Sequence, residues 1–137
     1  MRKRPQKRRA RALQVLYAWE AQGRPALDDT IRRLLQQLPR CRSDIEAAEE
    51  LARGVVATIE DLDRTLARAV EHWRFERLGM VERNILRLAM FEMEHTVVPP
   101  RVVINEAVEL AHRFAGGTAP GFVNGVLDAA ARAAGRL

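Results

Sequence analysis

Apolar residues recur at spacings of three and four along nearly the whole 137-residue chain, the signature of amphipathic helices. Strict alternation never lasts more than a few positions and β-branched residues are scattered, so no strand is predicted. A first helix is expected over about 7–22, with Leu13, Leu16 and Tyr17, and Glu20 one turn on, down one side. Gly23-Arg24-Pro25 ends it. Asp28 and Asp29 suit the positive end of a second helix, whose stripe is Ile31, Leu34, Leu35 and Leu38 before Pro39 stops it. Ser43 followed by Glu46 is a capping-box pattern that opens a third helix. The stretch 44–72 is helix-compatible throughout, but its mixed apolar spacings predict a break near 58–61.

After a connector at 73–79, further helices are expected at about 81–95 and 101–114, separated by Val97-Val98-Pro99-Pro100. The latter turns Val103, Ala107, Leu110, Ala111 and Phe114 inward. Gly116-Gly117 closes it, Thr118 can cap the last helix, and Phe122, Val123, Val126, Leu127 and Ala130 form that helix's core face. The pattern thus predicts an all-α chain of six or seven short helices.

Charge changes the picture at one end only. The net charge is +5, yet seven positive groups (Arg2, Lys3, Arg4, Lys7, Arg8, Arg9, Arg11) fall in the first eleven residues, where no acid occurs. The remaining 16 basic and 18 acidic groups leave residues 12–137 at −2. A flexible basic tail over 1–8 is therefore expected ahead of a single helical domain over 9–137. An acid-free run of this kind either solubilises the chain or attracts phosphate, and arginine stacking on bases suits single-stranded RNA. The acidic body offers no broad basic face for duplex DNA.

Composition bounds the rest. With 47% apolar residues the chain can bury a core, and its single cysteine, Cys41, cannot form an internal disulfide, which points to a reducing compartment. No apolar run approaches the ~18 residues that suggest a membrane span. The basic start leads into an amphipathic helix rather than a signal peptide's apolar stretch, so a cytoplasmic location is expected.

The materials for catalysis are sparse. Ser43 reads as a cap, and Cys41, between two arginines, has no histidine near it in the chain. His72, His95 and His112 are too scattered for a metal site, and no phosphate-binding glycine loop occurs. Neither a cofactor nor a metal is expected. Arg83 and Arg87, four apart, read as lying opposite a core face of Ile85, Leu88 and Ala89, bridged to Glu82 or Glu94. Glu92 falls on the apolar side, so it either snorkels out or is buried with a partner. Gly125, inside an apolar pattern, reads as a site of close helix packing, and Asn124 as a cap or a bridge to a neighbouring helix.

Four segments carry a resemblance. They are the basic run into Arg9-x-x-Ala12-Leu13-Gln14-x-Leu16-Tyr17, then Val81-Glu82-Arg83-Asn84-Ile85-Leu86-Arg87, then 103–111 (VINEAVELA) and 122–128 (FVNGVLD). In order and spacing they resemble the NusB family of bacterial transcription antitermination factors, over essentially the whole chain. The resemblance implies two packed helical bundles and no enzymatic activity. It further implies pairing with NusE, a small-subunit ribosomal protein, binding of boxA single-stranded RNA in nascent ribosomal RNA transcripts, and action within the RNA polymerase antitermination complex. By position, the family's RNA contacts fall on Arg2, Lys3, Arg4, Lys7, Arg8, Arg9 and Arg11, with Arg87 and Phe122. Tyr17 and Glu82 match positions that lie toward NusE. Two departures stand out: Ala10 where relatives often carry Glu, and Thr118-Ala119-Pro120-Gly121 where they often carry a charged loop. Contacts made by that loop in relatives are not carried over.

Two other readings remain open. One is the NusB-like module of a ribosomal RNA cytosine methyltransferase, which expects a nucleotide-cofactor domain with a glycine-rich loop. The other is a structural helical protein with a nonspecific nucleic-acid-binding tail. Oligomeric state is left open, and a homodimer is compatible with the pattern.

Overall fold

Seven α-helices and one 3-10 turn account for most of the residues that the computed structural model describes, namely 3–35, 42–70 and 75–137, with the side chains of Lys3, Arg4 and Glu76 set aside. Leu38, Pro39, Cys41, His72 and Trp73 lie outside the described residues, as does Arg2. The helices sort into two compact units that meet in sequence between Ala57 and Thr58. That is where the mixed apolar spacing predicts a break.

The first unit holds α1 (Lys3–Ala21), α2 (Leu27–Leu34) and α3 (Arg42–Ala57). Leu13, Leu16 and Trp19 of α1 are buried, as are Ile31 and Leu35 at α2 and Ala48, Ala52 and Val55 of α3. Ala48 and Ala52 stand one turn apart, and such small side chains let α1 pack closely on α3. Tyr17 does not join this core: it is 43% exposed, and the buried stripe continues instead to Trp19, three residues on from Leu16. The α1 C-terminus turns through Gly23 (φ 83°) and Arg24 (φ 60°), left-handed conformations that cost a non-glycine residue energy. Three contacts hold Arg24 there. Its N–H donates to the Trp19 carbonyl at 2.9 Å, its guanidinium reaches Glu20 at 2.9 Å, and the same group lies 5.2 Å from the Trp19 ring centre.

The start of α1 differs from expectation. The helix begins at Lys3, four residues ahead of the apolar periodicity, so most of the basic run is helical backbone. The helix α3 likewise begins at Arg42, which puts Ser43 inside the first turn rather than ahead of it. Helix ends are weakly encoded by side-chain pattern, since the first turn's N–H groups need no intrahelical partner.

The second unit holds α4 (Ile59–Ala69), the 3-10 turn (Phe75–Arg77), α5 (Met80–His95), α6 (Pro100–Phe114) and α7 (Ala119–Ala133). The helix α5 packs against α4, α6 and α7, and every residue from Asn84 to Met90 is buried. Such all-round burial is what a central helix requires. Glu92 is buried rather than snorkelling, and it is not among the buried groups left without a partner. Thr118 occupies the residue before α7, but its side chain makes no capping bond.

Candidate nucleic-acid interface

At 100° per residue, Lys7, Arg11 and Gln14 share the outer side of α1, whereas Arg9 stands four before Leu13 and seven before Leu16 on the inner side. The structure follows this geometry. Lys7 is exposed, Arg11 donates to the Gln14 side chain at 3.0 Å, and Arg9 is only 7% exposed. Arg8 lies on the shoulder between the two sides. Its Nε donates to Asp44 Oδ1 on α3 at 2.9 Å, with 32% of the arginine and 18% of the aspartate side chain exposed. Among the described residues nothing else takes the remaining N–H groups of Arg8. For Lys3 and Arg4 only the helical backbone is described.

Arg9, expected as an RNA contact, is thus a buried, partnered group, and its place on the Leu13–Leu16 stripe is the signal that foretells the burial.

Arg87, also expected as an RNA contact, is enclosed more fully. It is 2% exposed, not opposite the core, and is held from three directions. Its Nε and one terminal nitrogen grip both oxygens of Asp63 on α4 at 2.7 and 2.9 Å. The other terminal nitrogen donates to Asn84 Oδ1 at 3.0 Å, and Asn84 in turn donates to the Met80 carbonyl at 2.9 Å. The guanidinium also lies 5.4 Å from the Phe75 ring centre. A bidentate, stacked arginine is a planar clamp, and here it joins α4, the 3-10 turn and the start of α5. Asp63 and Phe75 reach Arg87 only through tertiary packing, which spacing along the chain does not show, whereas Asn84 is its neighbour one turn back within α5. Arg83 donates to the Leu78 carbonyl.

Glu82 is the third residue of α5, and its carboxylate folds back over Gly79, where a Cβ would meet Oε1 at 2.7 Å. An acid placed there also suits the positive helix end. Tyr17 offers an accessible ring on α1, and Phe122 is half-buried in the first turn of α7. Gly125 is not a close-packing site: it is exposed, and a Cβ there would meet nothing within 4 Å. Among the described residues no group of three or more His, Cys, Asp or Glu could hold a metal, and no helix is long and apolar enough to cross a membrane.

The comparisons with known proteins agree with the four motifs. The NusB family model matches residues 6–132. The chain belongs to the NusB family. It is 42% identical over 129 residues to the transcription antitermination protein NusB of Solibacter usitatus, covering 90% of this chain and 86% of that one. It is 40% identical over 121 residues to NusB of Anaeromyxobacter dehalogenans, covering 88% and 84%. The fold is similar to T. maritima NusB, with a TM-score of 0.86 at 30% identity over 93% of this chain and 89% of that one. It is equally similar to a structure of the antitermination factors NusB and NusE in complex with double-stranded RNA, with a TM-score of 0.85 at 30% identity over 97% and 99%. NusB proteins are regulatory antitermination factors, and the all-helical fold expected from periodicity is the one found.

Proposed function

We propose that this chain is a non-enzymatic RNA-binding adaptor of transcription antitermination, acting in the cytoplasm with NusE on boxA RNA. The observation that carries this reading is the outer side of the N-terminal half of α1. It presents Lys7, the outer part of Arg8 and Arg11, with no acid on the helix before Glu20. Each phosphate neutralised there by a cation contributes about 0.7 to the salt dependence of binding to a single strand. Arg2, Lys3 and Arg4 extend the same acid-free run, and Phe122 supplies a ring on the second unit on which a base can stack. Arg9 and Arg87, matched to RNA contacts by the resemblance, are each buried within their own unit, which favours a supporting role for both. Tyr17 and Glu82 form the NusE-directed positions, and a basic ribosomal protein suits a body whose net charge is −2 outside the first eleven residues.

The test is binding to boxA RNA, a scrambled RNA, an RNA duplex and matched single-stranded DNA at several salt concentrations, with and without NusE. The expected outcome is preference for boxA RNA that NusE strengthens. Equal affinity for all four, unchanged by NusE, refutes the proposal. The duplex arm is included because a similar NusB was solved with NusE and double-stranded RNA. Glu82→Lys is expected to weaken NusE binding more than RNA binding by the isolated protein, and the opposite ranking would reassign Glu82.

A further inference from the structure

We infer that Asp44, on α3, is a positioning residue for RNA, holding Arg8 so that its free guanidinium edge meets a phosphate or base at one fixed place. The inference rests on the proposed RNA-binding reading and adds to it a residue from a different helix. Arg8 and Asp44 are 36 positions apart, and only the packing of α1 on α3 brings them together. The contact uses Nε alone, at 2.9 Å, and leaves both terminal nitrogens without another partner among the described residues. A guanidinium anchored in this way keeps its plane and its position, whereas the side chain of Lys7, exposed and with no partner there, remains a diffuse point charge.

The two cations therefore divide the work. Lys7 supplies attraction that any phosphate backbone satisfies. Arg8, partly neutralised by Asp44, supplies less raw attraction and more geometry, because the ordering of a long flexible side chain is already done in the folded protein. A competing view makes Asp44 an anion that merely occupies Arg8 until RNA displaces it. The two views differ in sign.

The experiment measures boxA and scrambled RNA affinities against salt for the full chain and five variants: Asp44→Asn, Asp44→Glu, Arg8→Lys, Lys7→Ala and Asp29→Asn. Asp29 is exposed and pairs with Arg32, so its variant reproduces the charge change of Asp44→Asn without touching Arg8. Positioning predicts that Asp44→Asn and Arg8→Lys each cut the preference for boxA RNA about fivefold, near ~1 kcal/mol of side-chain ordering, without lowering the salt slope. Lys7→Ala should instead lower the slope by about 0.7 and leave the preference intact. Asp44→Glu, which keeps the carboxylate, should recover part of the preference. Tighter binding of both RNAs by Asp44→Asn beyond the Asp29→Asn control overturns the inference in favour of competition. An unchanged preference in Arg8→Lys, whose charge and fold are retained, overturns it regardless of the stability of the Asp44 variant. If the wild-type chain itself shows no preference for boxA RNA, the underlying reading fails, and this inference fails with it.

Discussion

Arg8 in the first unit and Arg87 in the second both grip an aspartate on another helix of their own unit, and they do opposite things. Arg8 spends one N–H on Asp44 and keeps its outer edge toward solvent. Arg87 spends three nitrogens on Asp63 and Asn84, covers a face with Phe75, and is almost wholly enclosed. A buried guanidinium is tolerable only when its donors are satisfied, so the second arrangement is a structural clamp. The first leaves a charge that a ligand can use. Residue type and motif membership do not separate the two. The number of donors already committed does.

The comparison breaks first at Arg87. Arg87→Ala should cost about 3 kcal/mol of stability, since it leaves Asp63 and Asn84 without their partner in a partly buried network. Urea denaturation measures this, and a loss below about 0.5 kcal/mol, the level of a surface substitution, would mean that Arg87 is not a structural clamp. Asp63→Asn keeps the shape but removes the charge, and an intermediate loss of about 1.5 kcal/mol is expected by the same measurement.

On the open surface of the second unit the sign reverses. Gly125 has no packing neighbour to crowd, so Gly125→Ala should raise stability by roughly 0.5–1 kcal/mol, read as a higher melting temperature. A destabilising result would mean that the position is more crowded than its open surroundings indicate. The smallest effect belongs to Arg8. Its pair is partly exposed, so Arg8→Ala should change stability by no more than about 0.5 kcal/mol while weakening RNA binding. A large stability loss there would erase the distinction from Arg87.

Much of this architecture was legible in the chain. The apolar periodicity predicts every helix, the kink at 58–61 marks the boundary between units, and the buried stripes of α4 and α7 fall where three- and four-residue spacing puts them. The candidate interface was legible in part. The acid-free run locates it, and Arg9 could have been set apart by its register with Leu13 and Leu16. Arg87 could not. The pattern of α5 shows one apolar face, but α4, α6 and α7 cover the helix on several sides, and the number of neighbours around a helix is not written in its own periodicity. Gly125 failed for the converse reason: a glycine in an apolar helix signals close packing only if another element arrives there, and in this unit none does.

By itself, then, the sequence determined that the chain is helical, where its helices break, to which family it belongs and at which end its positive charge gathers. Helicity, breaks and charge are properties of local spacing and composition, carried by residues within a turn or two of one another. The family follows instead from four motifs in order along the whole chain. The tertiary structure alone decided which arginines remain available. Asp44 lies 36 residues from Arg8 and Asp63 lies 24 from Arg87, so only the packing of α1 on α3 and of α4 on α5 brings each acid to its base. Whether a charge in this protein serves a ligand or the fold depends on the helix packed beside it.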